Sequence, residues 1–256
     1  MCPILLRLGP ISIHTYGVLI ALAFFLGMTL ASHRAERVGQ DPQLIMDLAF
    51  YLMVAAIVGS RILYVILDYR VYMQEPLRIL KIWEGGLVFY GGLIAAIIVG
   101  ASFMRRHRMS FWPTADILAP SIALGQAIGR LGCLAAGCCY GLPTERSWGV
   151  IFTNPEALAP LGIRLHPSQI YESLAALTIF LFLLIYQRQK RFSGQIFLSY
   201  VSLYALARFF LEFFRGDYRG SLNILSFSLS TSQIISLLGI VISLVLFRAR
   251  TPKRRY

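Results

Sequence analysis

Seven apolar stretches, each close to the length of a membrane crossing, leave this chain few ways to fold. In lipid every backbone N–H and C=O must be satisfied within the chain, and a helix needs about 20 apolar residues to cross the hydrocarbon. Residues 15–31, 44–67, 87–104, 115–135, 170–186, 195–214 and 230–247 approach that condition. With 57% hydrophobic and 14% charged residues in a length of 256, the chain lies outside the soluble globular range. The expected fold is an all-α integral membrane protein, one polytopic domain over residues 1–256 with seven transmembrane helices. The fourth stretch holds Asp116, Pro120, Gln126 and Arg130, which suits a buried or broken helix better than a lipid-facing one.

Orientation follows from lysine and arginine. Arg34, Arg37, Arg105, Arg106, Arg108, Arg188, Lys190, Arg191, Arg248, Arg250, Lys253, Arg254 and Arg255 fall together if the carboxyl terminus is cytoplasmic. Only Arg7, Arg70, Arg78, Lys81, Arg146, Arg164, Arg215 and Arg219 remain for the other side. The bias predicts an external amino terminus and a cytoplasmic carboxyl terminus. Much of the +12 net charge is then a topology signal and a contact with anionic membrane lipids rather than a nucleic-acid footprint. The first stretch reads as a retained span: Pro10, His14 and Tyr16 stand at its amino end, Arg34 and Arg37 follow it, and no small-residue cleavage site ends it.

Against this apolar background Arg61, Arg130 and Arg208 are conspicuous. An arginine at a span's centre costs about 2.5–3.5 kcal/mol or more, so each calls for an anionic partner. The topology places all three in the outer half of their spans, together with His14, Tyr16, Tyr90, His166 and Glu172. Glu212 follows Arg208 by four residues on the same helical face. A guanidinium fork matches phosphate, and several together can neutralise a phosphodiester and the charge that grows on it as it leaves. A phospholipid headgroup is the anion available at that depth. The competing reading is structural, with Arg208 paired only to Glu212 and Arg61 to Asp68 or a carbonyl. Paired glycines at 85, 86, 91 and 92, and Gly125, Gly129, Gly132, Gly137 and Gly141, allow close backbone approach either to a ligand or to a neighbouring helix.

His14-Thr15-Tyr16-Gly17, the run from Gly85 through Tyr90 to Gly92, Gly129-Arg130-Leu131-Gly132, His166-Pro167-Ser168-Gln169-Ile170-Tyr171-Glu172, and Tyr204 with Arg208, Glu212 and Arg215 together resemble the bacterial prolipoprotein diacylglyceryl transferases. The blocks occur in that family's order and cover most of the chain. The resemblance implies a multi-pass protein of the bacterial inner membrane with a small periplasmic head, here residues 136–167. It implies transfer of the diacylglyceryl group of phosphatidylglycerol to the lipobox cysteine of prolipoprotein signal peptides, with no cofactor and no metal. It also implies that Arg130 and Arg208 are essential, that Tyr16 and Glu212 are catalytic, and that Arg61, His14, Gly91, Gly92, Gly129, Gly132, His166 and Tyr204 bind substrate; Tyr90 is a catalytic candidate outside the resemblance.

Two departures stand out. Tyr90 occupies the place where the family usually carries a histidine proposed as the base, and Cys133-Leu134-Ala135-Ala136-Gly137-Cys138 replaces an asparagine-rich signature. A phenol serves as base only if nearby arginines lower its pKa; His14, His166 and a proton transfer through the substrate or water are the other readings. Cys133, Cys138 and Cys139 are open to three readings: buried thiols, one disulfide, or a metal site with His166. A related phospholipid-dependent transferase with another acceptor is the alternative function. A transporter would show two related halves, and an intramembrane hydrolase a Gly-x-Ser-x-Gly or His-Glu-x-x-His motif; none of these is present.

Overall fold

The computed structural model describes residues 3–8, 11–81, 85–217, 221–224 and 227–252. Pro10, Arg219, Lys253, Arg254 and Arg255, which entered the sequence reading, lie outside them. A hairpin, β1 (Ile4–Leu8) and β2 (Ile11–His14), leads into α1 (Thr15–Arg37). Then come α2 (Pro42–Leu67), the short α3 (Tyr69–Gln74), a 3-10 turn over Pro76–Leu80, α4 (Phe89–Arg106) and α5 (Phe111–Ala136). A two-residue hairpin, β3 (Val150–Ile151) and β4 (Arg164–Leu165), precedes α6 (Ser168–Tyr186) and α7 (Gln195–Leu211). A last hairpin, β5 (Ser221–Ile224) and β6 (Phe227–Ser230), opens α8 (Thr231–Arg250).

Among the described residues seven helices are long and apolar enough to span a membrane, and they coincide with the seven expected stretches. Their ends differ modestly: α4 starts at Phe89 rather than 87, and α5 at Phe111 rather than 115. The helix expected to be buried or broken is the most buried of the seven, yet it runs unbroken through Pro120. The Asp41 side chain caps α2 by accepting from the Gln43 N–H, and Ser230 and Gln233 form a capping box on α8.

The chain divides into two compact units, Met1–Leu30 with Ala115–Tyr256, and Ala31–Thr114. In the latter, α2 and α4 approach so closely that only glycine fits. A Cβ at Gly59 would strike the Gly91 carbonyl, one at Gly91 would strike the Gly59 carbonyl and Leu63, and one at Gly92 would lie 2.7 Å from the Ala56 carbonyl oxygen. Such small-residue faces let two backbones pack directly. Gly91 and Gly92 are buried in that contact, so the expectation that they touch substrate gives way to helix packing. Arg61 is clamped in the same unit. Its Nε donates to the Ile79 carbonyl, Nη1 to those of Gly85 and Gly86, and Nη2 to those of Arg78 and Lys81. Gly85 and Gly86 adopt φ of +88° and +77°, turning both carbonyls toward it, and the guanidinium also lies over the rings of Tyr64 and Tyr72.

In the larger unit Ala119, Ala123, Ile179, Leu183, Ile196 and Tyr200 knit α5, α6 and α7 into one core. Buried polar groups add fixed points. Ser173 Oγ donates to the Ala127 carbonyl at 2.7 Å, and Ser202 meets Ser243 at 2.8 Å. Asp116, 2% exposed, accepts from the N–H groups of Gly194 and Phe197 at the start of α7 and pairs with Lys190 at 2.9 Å. A carboxylate suits the positive end of a helix. Phe152, Ala159 and Leu165 form a separate small core within residues 136–167.

A leucine at Gly59 has no room, so Gly59→Leu should destabilise the protein by about 1–3 kcal/mol. Gly17→Ala, at a position with open space within 4 Å, should change little. Thermal unfolding in detergent, with the two midpoints compared, checks both.

Candidate functional site

The centre of the larger unit is a carboxylate. Pro167 sets the chain at the start of α6, and the fifth residue of that helix, Glu172, points inward with its side chain 6% exposed. Its Oε2 lies 2.6 Å from Arg130 Nε, and its Oε1 lies 2.5 Å from Arg215 Nη1 and 3.5 Å from Arg208 Nη1. One glutamate on α6 thereby collects arginines from α5, from α7 and from the segment after α7. Glu212, one helical turn beyond Arg208, pairs with Arg208 Nη2 at 2.6 Å. Arg215 makes a two-pronged contact with Asp217, Nε to Oδ1 at 2.9 Å and Nη2 to Oδ2 at 2.7 Å. Three arginines face three carboxylates, so the cluster is formally neutral. Each member satisfies the partner requirement that burial imposes.

The arginines are not equivalent. Arg215 is 2% exposed and Arg208 10%, whereas Arg130 is 22% exposed. Arg208 adds a bond from Nη2 to Ser232 Oγ at 3.2 Å. Arg130 meets Glu172 through Nε, and among the described residues its two Nη groups donate no hydrogen bond. Beside it Tyr204 stacks on Tyr200, ring centroids 5.9 Å apart, and the Tyr200 hydroxyl donates to Gln126 Oε1 at 2.9 Å. Gln126, Arg130, Glu172, Tyr204 and Arg208 line one crevice.

The remaining expected residues of this unit surround the cluster less directly. Tyr16, in the first turn of α1, packs where Gly132 leaves space: a Cβ there would lie 3.1 Å from Tyr16 Cδ2. Gly129 faces Ile20 in the same way. His14 ends β2 and is exposed. His166 is built into an aromatic group, with Nδ1 3.3 Å from the Tyr171 hydroxyl and its ring edge-on to Phe214, while Trp148 Nε1 donates to Tyr171 at 2.8 Å. Its backbone joins Gly141 and Leu142, so the histidine is a fixture of the loop. At the end of α5 Cys133, Cys138 and Cys139 gather. Hydrogen bonds from the Cys133 and Cys138 thiols, and after them the Arg215 guanidinium, hold Cys139 below the ordinary thiol range.

Arg61, Tyr90, Gly91 and Gly92 belong to the smaller unit. The five N–H groups of Arg61 are spent on carbonyls, which leaves none for the lipid phosphate expected of it. Tyr90 is 58% exposed, and its ring packs edge-on to Phe89.

The sequence reading did not single out Asp217, and it quoted Glu172 and Arg215 within the family blocks without giving either a role. A signal existed for both: a carboxylate one turn into an apolar span has to find a cation, and Arg215 stands three residues after Glu212, within helical reach.

A family model described as prolipoprotein diacylglyceryl transferase matches residues 3–249. The chain is 38% identical over 247 residues to a phosphatidylglycerol–prolipoprotein diacylglyceryl transferase of Clostridium tetani, covering 96% of this chain and 97% of that one. It is 39% identical over 254 residues to the protein so named in Geobacillus kaustophilus, covering 98% and 93%. To the Bacillus velezensis protein of that name it is 36% identical over 255 residues, covering 98% and 93%. With the match running through nearly every span and through the arginine-bearing helices, this chain belongs to the prolipoprotein diacylglyceryl transferase family.

Proposed function

We propose that this protein transfers the diacylglyceryl group of phosphatidylglycerol to the lipobox cysteine of a prolipoprotein signal peptide, and that the cluster around Glu172 is where the phosphate is held. The observation that carries the assignment is Arg130: Glu172 fixes its Nε at 2.6 Å, and the Nη fork is left for an anion. A planar fork already oriented from behind loses little freedom on binding phosphate. Arg208, more heavily engaged, completes the clamp, with Glu212 setting its position. Tyr204 and Tyr16 line the approach for headgroup and peptide, as do His14 and His166, while Gly129 and Gly132 leave room on α5 for Ile20 and Tyr16 of α1. Arg61 keeps a role one step removed, ordering the glycine loop before α4.

The acceptor thiol loses its proton and the thiolate attacks the glyceryl carbon bonded to the phosphate oxygen. A C–S bond forms, the C–O bond breaks, and its electron pair departs on the oxygen of glycerol phosphate. The leaving phosphate gains a second negative charge, and Arg130 with Arg208 stabilise that charge more than the singly charged diester. The proton has three candidate acceptors: Tyr90, a histidine, and the departing phosphate. We also propose that the amino terminus and residues 136–167 face outward and the carboxyl terminus the cytoplasm. The basic residues in the last turns of α1, α4 and α8 support that orientation.

The decisive assay incubates purified protein with phosphatidylglycerol and a lipobox peptide and reads thioether formation by mass. A product of the same lipid on an acceptor other than the cysteine would point to a related transferase. In this assay Arg130→Lys and Arg208→Lys should each lose about 100-fold or more in turnover, because an ammonium cannot supply the fork; near-normal rates in a correctly inserted Arg130→Lys protein would refute the clamp.

Glu172→Gln removes the one charge common to three arginines. It should cost about 3–5 kcal/mol of stability as well as turnover, whereas Glu212→Gln should lower turnover with a smaller shift in thermal midpoint.

For the base, Tyr90→Phe should abolish transfer at neutral pH if the phenolate takes the proton. A loss of only about 0.5–1.5 kcal/mol would mean a single hydrogen bond to the lipid. The pH–rate profiles of Tyr90→Phe, His14→Gln and His166→Gln separate the cases.

A further inference from the structure

The transfer reaction as derived makes no use of three thiols gathered where α5 ends. The Sγ atoms of Cys133, Cys138 and Cys139 all lie within 4.8 Å of one another, half-buried and joined by no disulfide. Their meeting is enforced by the chain. Gly137, at φ +73°, terminates the helix in the left-handed region. The Cys138 N–H then reaches the Cys133 carbonyl at 3.1 Å, and the Gly137 N–H reaches that of Leu134 at 3.2 Å. This paired pattern is the Schellman turn, which brings the side chains at its two ends, here residues 133 and 138, to one side.

Cys139 completes the group only by adopting φ +59°, a conformation that costs a residue with a Cβ about 1–3 kcal/mol. Two groups from α6 hold it there. Ser168 Oγ and Gln169 Nε2, on residues each 1% exposed, donate to the carbonyls of Cys139 and Cys138, both at 2.7 Å. The convergence of the thiols is therefore a property of a fixed backbone.

We propose that Cys133, Cys138 and Cys139 form a three-thiolate site for a thiophilic d10 cation, zinc(II) or copper(I). With metal–sulfur bonds of about 2.3 Å, tetrahedral or trigonal geometry sets the sulfurs about 3.8–4.0 Å apart. Small side-chain rotations bring the observed cluster to that spacing. Soft thiolates select these cations over hard ones. Binding displaces the thiol protons to solvent, forms three metal–sulfur bonds and changes no oxidation state. Three thiolates around zinc(II) carry a net charge of minus one, and around copper(I) minus two. Arg215, which also pairs with Glu172 and Asp217, lies beside Cys139 to offset it. His166, considered with these cysteines on sequence grounds, is not in the cluster.

The test uses the full chain in detergent, reduced, stripped with chelator and handled without oxygen. Titration with cobalt(II) should give thiolate charge-transfer absorption saturating at one ion per chain. Zinc(II) should displace it, and competition with chromophoric chelators for zinc(II) and for copper(I) tells which is held more tightly. Loss of an outer-shell partner alone weakens a metal site about 10–100-fold, so Cys133→Ser, Cys138→Ser and Cys139→Ser should each weaken binding at least that much. Cys2→Ser should retain full stoichiometry. As a second measure on the unaltered chain, the metal should protect these three thiols from maleimide. Absence of the charge-transfer band, binding that survives replacement of all three cysteines, or no protection from maleimide would each overturn the proposal. So would a reduced chain that returns to a disulfide, two hydrogens lighter, in the presence of the metal.

Discussion

A single buried carboxylate, Glu172, organises the larger unit. It lies within 3.5 Å of three guanidinium groups that come from α5, from α7 and from the turn after α7. An arginine inside a span is costly on its own, and a glutamate is too. Brought together they offset one another, and the geometry that offsets the charges also fixes where the helices meet. The core of Ala119, Ile179 and Tyr200 fills the space between the same helices, but apolar packing in lipid has little direction. Ion pairs at 2.5–2.6 Å do.

Neutrality of the cluster has a functional meaning. An anion entering a site with excess positive charge would bind tightly in the ground state and leave slowly. Here each arginine already has a carboxylate, so a phosphodiester held as proposed would meet a modest attraction, and the second charge, appearing as the carbon–oxygen bond breaks, would meet an oriented fork. Arg130 would suit this part, because Glu172 meets it at Nε and its Nη groups donate no hydrogen bond among the described residues. Arg215, more buried and engaged by both Glu172 and Asp217, would suit the supporting one.

The glycines show how a motif misleads when context is missing. The pair at 91 and 92 reads equally well as a ligand cradle or a helix contact, and both uses require the absence of a Cβ. Only the position of α2 settles it: the Gly59 and Ala56 carbonyls occupy the space a side chain would need. Arg61 is the same case among charged residues. Its cost in an apolar span demanded partners, and those partners are carbonyls of the turn and loop after α3, including two presented by glycines at positive φ.

The sequence alone determined the seven crossings, because the length and apolarity of each run are local properties that lipid enforces without help from tertiary contacts. It also marked Arg130, Arg208 and Glu212, since charge in such runs is rare and the last two share a helical face one turn apart. The role of Glu172 and the recruitment of Arg215 were decided by the tertiary structure. Glu172 and Arg130 are 42 positions apart, and no spacing rule connects residues on different helices. The thiol cluster lies between these limits. Cys133, Gly137 and Cys138 carry the spacing of a helix-ending turn, yet the third thiol joins because Ser168 and Gln169, on another helix, hold its backbone where a left-handed residue is needed.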